Sequence, residues 1–327
     1  MYESFYRLRA KPFQLNPDPR FFFGSKGHKR AMAYLEYGLS KGEGFIVITG
    51  EVGAGKTMLV RNLFRKLEHE NVVAAQLVST QLDADDTLRV VAAAFGVSHE
   101  GLSKATLLKN LEKQLLATAR QGKRTLLVVD EAQNLAPRAV EELRMLSNFQ
   151  AGEKPLVQSF LLGQPEFRRT LQSEEMQQLR QRVVASYHLG PMDSAETRAY
   201  VLHRLELVGW QGDPAISDEA FQLLHEYTGG IPRKINNLCD RLLLLGFLEE
   251  KHAFDRDTVQ QVIHDLMQEV AYGEAPARAN IGPRDESADL ADLTRRLENM
   301  EATLNRMMTM MRKLLFHATE ASQEHVQ

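Results

Sequence analysis

One stretch of this chain, Gly50-Glu51-Val52-Gly53-Ala54-Gly55-Lys56-Thr57, has the spacing G-x-x-x-x-G-K-[ST] of a loop that cradles phosphates. Each fixed residue has its own task. The glycines allow a tight turn that aims successive backbone N–H groups at the β- and α-phosphates of a nucleotide. Lys56 brings a point charge to the β/γ oxygens, and the Thr57 hydroxyl helps to hold Mg²⁺. A helix leaving the loop through Met58 puts its positive dipole end under the anion. A second string, Leu126-Leu127-Val128-Val129-Asp130-Glu131, reads as a buried strand ending in two carboxylates. Asp130 joins Thr57 as a candidate for the metal shell. Glu131, one residue on, can orient and polarise a water for attack on a γ-phosphate. That second carboxylate favours hydrolysis over switching or kinase chemistry, so a nucleoside triphosphate and Mg²⁺ are the expected ligands.

The elements that must position these groups are short apolar runs at Phe45–Thr49, Val72–Val78, Thr125–Val129, Gln158–Leu162 and Val183–His188. They alternate with helical patterns such as Met58–Leu67, where Leu59, Leu63 and Leu67 share one side. This alternation argues for an α/β fold with a parallel sheet and helices on both faces. From Asp193 to about Val270 the pattern is helical throughout. Asp193 and Glu196 have capping-box spacing, Asp255 is a candidate cap for the last helix, and Gly229-Gly230-Ile231-Pro232 marks a break between two helices. Residues 1–44 form an aromatic-rich lead-in, which Pro17 and Pro19 hold in an extended, turn-like path.

Residues 271–288, rich in Ala, Gly and Pro, read as a flexible linker. Beyond them, Leu290, Leu293, Leu297, Met300, Leu304, Met307, Met311 and Leu314 alternate three and four apart. That spacing is a coiled-coil seam suited to self-association or to a partner. The alternative is a lone amphipathic helix packed back on its own domain. The expected organisation is an N-terminal segment at 1–44, a nucleotide-binding domain at 45–190, a helical lid at 191–270, the linker at 271–288 and the coiled coil at 289–316.

The chain has 327 residues, of which 43% are hydrophobic and 25% charged, ordinary values for a globular protein with a sizeable core. A net charge of −3 supplies no overall attraction to nucleic acid and leaves room only for a local basic patch. The single cysteine, Cys239, rules out an internal disulfide and is expected to be a small buried residue. No signal peptide is legible at the N-terminus, and the longest apolar run, Leu242–Leu248, is too short to span a bilayer. The expected location is the cytoplasm, or the periphery of the inner membrane through partners.

Several strings together carry a resemblance: Gly50–Thr57, Asp130-Glu131-Ala132-Gln133-Asn134-Leu135, Leu162-Gly163-Gln164-Pro165-Glu166, Leu179-Arg180-Gln181-Arg182, Gly229-Gly230-Ile231-Pro232-Arg233, and the opening Pro12-Phe13 through Asn16-Pro17-Asp18-Pro19-Arg20-Phe21-Phe22. Over roughly residues 1–270 the chain resembles AAA+ ATPases of the ExeA/GspA (general secretion pathway A) type. That group includes MshM-like pilus proteins and ATPases of exosortase/PEP-CTERM exopolysaccharide loci. The resemblance implies a P-loop NTPase fold of the ASCE type with a helical lid. It implies that Gln164 is sensor 1, that Arg182, with Arg180 as runner-up, reaches a neighbouring subunit's nucleotide, and that Arg233 is sensor 2 on the lid. It also places Pro17–Phe23 and His28 near the adenine. A homo-oligomer and a protein partner in envelope secretion machinery, met through the coiled coil, follow from the same resemblance. ExeA itself continues into a membrane span and a peptidoglycan-binding part, neither of which is legible here. This departure makes direct cell-wall binding a poor expectation and points to the shorter exosortase-associated ATPases.

Two rival readings stand beside this one. A DNA-directed AAA+ protein, of the transposition-adaptor or initiator-loader type, would have a similar core. The acidic balance and the lack of an appended helix-turn-helix or basic arm count against it. A nucleotide-gated scaffold would not need the water-activating Glu131.

Overall fold

The computed structural model describes residues 1–78 and 83–273. Five parallel strands form the central sheet: β1 (Phe45–Gly50), β2 (Val72–Val78), β3 (Arg124–Asp130), β4 (Gln158–Gly163) and β5 (Val183–Leu189), in the order β2-β3-β4-β1-β5. Each expected strand is present, extended by at most a residue at either end. Near-continuous apolar runs suit these strands because both faces of the sheet are covered.

Alternate side chains supply two cores. Phe45, Val47, Leu127, Val129 and Leu161 point to one face, and Ile46, Ile48, Leu126, Val128 and Phe160 to the other. The first face is covered by α3 (Ala84–Ala94), α4 (Lys104–Arg120), α5 (Pro137–Leu146) and α6 (Pro165–Gln172). The second is covered by α1 (Lys26–Lys41) and α2 (Lys56–Leu67).

The lid consists of α7 (Ser194–Leu207), α8 (Asp218–Thr228), α9 (Pro232–Leu248) and α10 (Arg256–Gly273). The Asp193 capping box is complete, with both reciprocal bonds to Glu196 in place, and Asp255 Oδ1 accepts from Thr258 N at 2.9 Å. α10 runs through Gly273, into the first residues expected as linker. The rest of that linker and the 289–316 seam lie outside the described residues. Among the described residues no helix is long and apolar enough to cross a membrane.

Three features differ from the expectations. α1 lies within the segment read as a turn-like lead-in, where Gly27 and Gly38 dilute the helical pattern. The lid is not purely helical, because Ala215–Ile216 pairs in parallel with Ala253–Phe254. A small antiparallel hairpin, Gln150–Ala151 with Lys154–Pro155, precedes β4. Two-residue strands carry too little alternation to be read from sequence.

The N-terminal segment divides between the two bodies. Tyr2, Tyr6, Leu8, Phe13 and Phe21 are buried with Val201, Leu205, Leu224, Leu238 and Cys239 in the lid core, whereas α1 packs on the sheet. Burial drives the Cys239 thiol well above its ordinary proton affinity. Tyr6 donates its hydroxyl to Lys251 O at 2.8 Å, and Arg9 N donates to Val208 O at 2.8 Å. The opening residues are thus part of the lid's core. Phe13→Ala is expected to destabilise the lid by about 3–5 kcal/mol, as for other buried aromatics. Chemical denaturation followed at Trp210 measures this, and an unchanged midpoint would mean that the segment merely lies on the surface.

Candidate functional site

β4 lies between β1 and β3 in the sheet, and the C-terminal ends of β1 and β3 open on one cavity of about 360 Å³. The phosphate loop leaves β1, Asp130 ends β3 and Gln164 follows β4. This is where a parallel sheet presents loops and helix N-termini to a ligand. Gly53 and Gly55 have φ of +81° and +98°, a region that side chains rarely adopt. Each also sits against another segment. A Cβ on Gly53 would lie 2.4 Å from Arg233 Cβ, and one on Gly55 would lie 2.7 Å from His28 Nε2.

Lys56 is 5% exposed, and its ammonium donates to Gly50 O at 2.6 Å and Glu51 O at 3.0 Å. Burial lowers its proton affinity, while Glu131 and Asp130 act to raise it. Asp130, 3% exposed, accepts from the Thr57 hydroxyl at 3.0 Å and from Glu131 N at 3.0 Å. Burial nonetheless raises its pKa above the ordinary carboxylate range. A buried, under-compensated carboxylate beside a hydroxyl is an all-oxygen donor set, which fits a hard cation such as Mg²⁺.

Glu131 has a φ of +55°, in the left-handed region where a non-glycine residue is strained. Its Oε2 accepts from Gln133 Nε2 at 2.6 Å and Gln164 Nε2 at 3.2 Å. The Gln133 amide is in turn fixed by the backbone of Gln164, whose N–H donates to Gln133 Oε1 at 2.9 Å. Burial acts to raise the Glu131 pKa, but the Gln133 and Gln164 bonds and the Lys56 charge overcome it and hold the carboxyl below its usual range. Both amides sit on Oε2, so Oε1 is the oxygen available to the cavity that Glu131 lines. The carboxylate is favoured in its charged form, oriented by two amides and in the same cavity as Lys56, which suits it to hold a water as a base.

The lid helices also line the cavity. Arg233 lines it from the first turn of α9, and its backbone N donates to Gly53 O at 3.2 Å. On the other side stand Asn16, Pro17, Phe21, Phe22, Phe23 and His28. His28 bonds Ser25 Oγ through Nδ1 at 2.7 Å, and burial lowers its pKa.

Gly53, Gly55, Lys56, Thr57, Glu131, Val52, Met58 and Arg233 therefore meet in one cavity, with Asp130 hydrogen-bonded to Thr57 at its edge. Gln164 acts on Glu131 and is not itself on the cavity wall. Arg182 and Arg180 lie elsewhere. Arg182 stands at the N-terminal end of β5, where Val183 pairs with Phe45, the residue farthest along β1 from the phosphate loop. At ~3.3 Å per residue, β1 sets it more than ~15 Å from its own loop. Its Nη1 donates to Ser147 Oγ at 2.7 Å, and Arg180 Nη1 donates to Leu171 O at 2.8 Å.

Sequence reasoning missed Gln133 as the tighter holder of Glu131, and missed Tyr200, Arg204 and Asn236, which line the cavity from the lid. A signal existed for Arg204. The buried stripe of α7 is Thr197, Tyr200, Val201, Arg204 and Leu205, so a cation falls at an apolar position.

A family model described as an AAA domain matches residues 39–171. General secretion pathway protein A of Aeromonas hydrophila is 40% identical over 253 residues, covering 77% of this chain and 46% of that protein. The chain thus spans about half the length of the relative it matches. Among solved structures, Drosophila ORC bound to DNA superposes with a TM-score of 0.60 at 17% identity, covering 85% of this chain and 70% of that one. Aeropyrum pernix ORC2, in ADPNP-ADP complexes, gives 0.59 at 17% identity, covering 78% and 71%. At these identities the likeness is one of fold.

The pair of amides on Glu131 has a testable consequence. Gln133→Ala removes the shorter bond to the charged form, so the Glu131 pKa is expected to rise. A carboxyl ¹³C NMR titration, with Glu131→Gln to identify the resonance, reads the shift. A midpoint that stays put or falls would show that Gln133 does not hold the carboxylate.

Proposed function

We propose that this chain is an AAA+ ATPase with a core of the general secretion pathway protein A type, which hydrolyses ATP as a homo-oligomer and so drives or regulates assembly of an envelope secretion or exopolysaccharide system. The observation that carries the hydrolytic part is the Glu131 carboxylate, aimed by two amides and lining the same cavity as Lys56. In this reading the loop N–H groups and Lys56 bind the phosphates, and the aromatic segment Pro17–Phe23 with His28 flanks the base. Asp130 and Thr57 hold Mg²⁺, which when bound neutralises phosphate charge. Glu131 accepts the proton of the attacking water, while Gln133 and Gln164 keep its carboxylate oriented. Arg233 reports the phosphates to the lid through α9.

Arg182 supports the oligomer. It cannot serve its own cavity from the opposite end of the sheet, so its role in transition-state charge would be exercised on a neighbour's nucleotide. Arg180, spent on carbonyls at the C-terminal end of α6, is the second candidate. Lys56→Ala is expected to lose ATP binding, Glu131→Gln to keep it and lose most turnover, and Arg182→Ala to keep it and turn over slowly. Mixed Lys56→Ala and Arg182→Ala chains should recover activity, since each supplies what the other lacks. Turnover of Glu131→Gln at the wild-type rate would remove the base assignment. Absence of rescue on mixing, with a rate independent of protein concentration, would remove the shared site.

The secretion role is proposed from the general secretion pathway protein A relative, and the seam at 289–316 is the proposed surface for a partner or second copy. Leu297→Asp with Leu304→Asp would place charge in that seam at a cost of several kcal/mol. Light-scattering mass and capture of secretion components are expected to fall in this variant while ATP binding persists. If mass and capture are both unchanged, the seam is not an interaction surface.

A further inference from the structure

The same cavity is lined, beyond the phosphate loop, by a buried polar cluster that the hydrolytic chemistry does not use. Arg204 is 5% exposed, lines the cavity and is bonded to two separate segments of the chain. Its Nε donates to Pro12 O at 2.6 Å and its Nη2 reaches Gln14 O at 3.5 Å, both on the N-terminal segment. Its Nη1 donates to Tyr200 Oη at 2.7 Å and Asn236 Oδ1 at 3.1 Å, both on the lid. The guanidinium also lies over the Phe21 ring, 4.8 Å from its centroid. Every acceptor it reaches is a neutral oxygen, and among the described residues no carboxylate is paired with it. Asp18, which feels its charge, is forked to Arg20.

Counting donors and acceptors shows what this cluster has left for a ligand. The Tyr200 hydroxyl gives its proton to Asn236 Oδ1 at 2.8 Å and accepts from Arg204. Asn236 Oδ1 therefore accepts twice, and two donors on one oxygen fix which way the amide points. What remains is the Asn236 Nδ2 pair of N–H groups and one N–H of Arg204 Nη2. The cluster offers a ligand donors and no acceptor.

We infer that Arg204 is a positioning residue and Asn236 a specificity residue for the nucleotide's base. Arg204 ties the N-terminal segment to the lid beside the base site. The donors of this cluster face ring-nitrogen acceptors of adenine and disfavour a base whose matching edge carries N–H, as guanine's does. This rests on the reading of the cavity as an ATP site.

Titration calorimetry on the full chain with ATP, GTP and inorganic tripolyphosphate separates the parts, because tripolyphosphate engages the loop without a base. Arg204→Gln is expected to weaken ATP binding about tenfold while tripolyphosphate stays within about twofold of wild type. Asn236→Asp keeps the oxygen that Tyr200 and Arg204 bond and replaces the free donor with an acceptor. Its ATP-to-GTP affinity ratio is expected to move toward GTP by about tenfold, and added charge near the phosphates cancels in that ratio. A parallel loss of ATP and tripolyphosphate in Arg204→Gln, or an unchanged ATP-to-GTP ratio in Asn236→Asp, overturns the inference. The aspartate variant decides it if the glutamine variant does not fold. A wild-type chain that binds tripolyphosphate as tightly as ATP refutes this inference alone. A wild-type chain that binds neither refutes the ATP site as well.

Discussion

The ammonium of Lys56 is the charge around which the site is arranged. A buried ammonium that lacks partners costs several kcal/mol in lost hydration. Here the Gly50 and Glu51 carbonyls receive its protons, and Glu131 and Asp130 supply the opposing field. These groups come from two strands that do not touch each other, β1 and β3, with β4 between them. The strand order is therefore part of the electrostatics. Were β4 elsewhere, Gln164 would be away from Glu131 and the carboxylates away from the lysine. The two carboxylates also behave oppositely. Two amides and the lysine hold Glu131 in its ionised form, whereas burial outweighs what Thr57 and a backbone N–H offer Asp130. The first suits a base and the second a ligand of a hard cation.

The second organising feature is that the cavity lies between two cores. Phe21 and Phe23 pack with the lid core and Phe22 against the sheet core, Arg233 and Asn236 come from the lid itself, and Lys56, Thr57 and Glu131 from the sheet side. A nucleotide touching all of these joins the two bodies. Lys26 links the chain's first passage between them to the second, through Glu196 at 2.6 Å and Asp193 at 2.9 Å. That pair is exposed and adds little to stability. The buried bond of Arg204 to Pro12 O holds the segment far more firmly to the lid, because its alternative is an unsatisfied buried guanidinium donor.

Much of this was legible in the residues alone. The phosphate loop, the Asp130-Glu131 strand end, all five sheet strands, the Asp193 capping box and the Asp255 cap are local features. Each is set by spacing within a few residues or by period along one element, and side-chain chemistry at short range suffices to read it. Misreadings fell where the local signal is thin. α1 is diluted by two glycines, and the 215–216, 253–254 and 150–155 pairings are too short to alternate.

Position in space was another matter. Gln164 could be placed after a strand but not against Glu131, because that contact depends on β3 and β4 being neighbours. Arg182 could be placed before β5, but its distance from its own phosphate loop follows from the parallel register with β1. Residues 1–23 could be read as aromatic, but not as part of a core formed with helices some two hundred residues later. The cluster of Tyr200, Arg204 and Asn236 joins two helices and the N-terminal segment, and no single window of sequence contains it. The sequence by itself determined which groups could do chemistry, since that is a property of side chains and their immediate spacing. The tertiary structure alone decided which of them meet, since contacts between distant segments are set by how the whole chain buries its apolar surface.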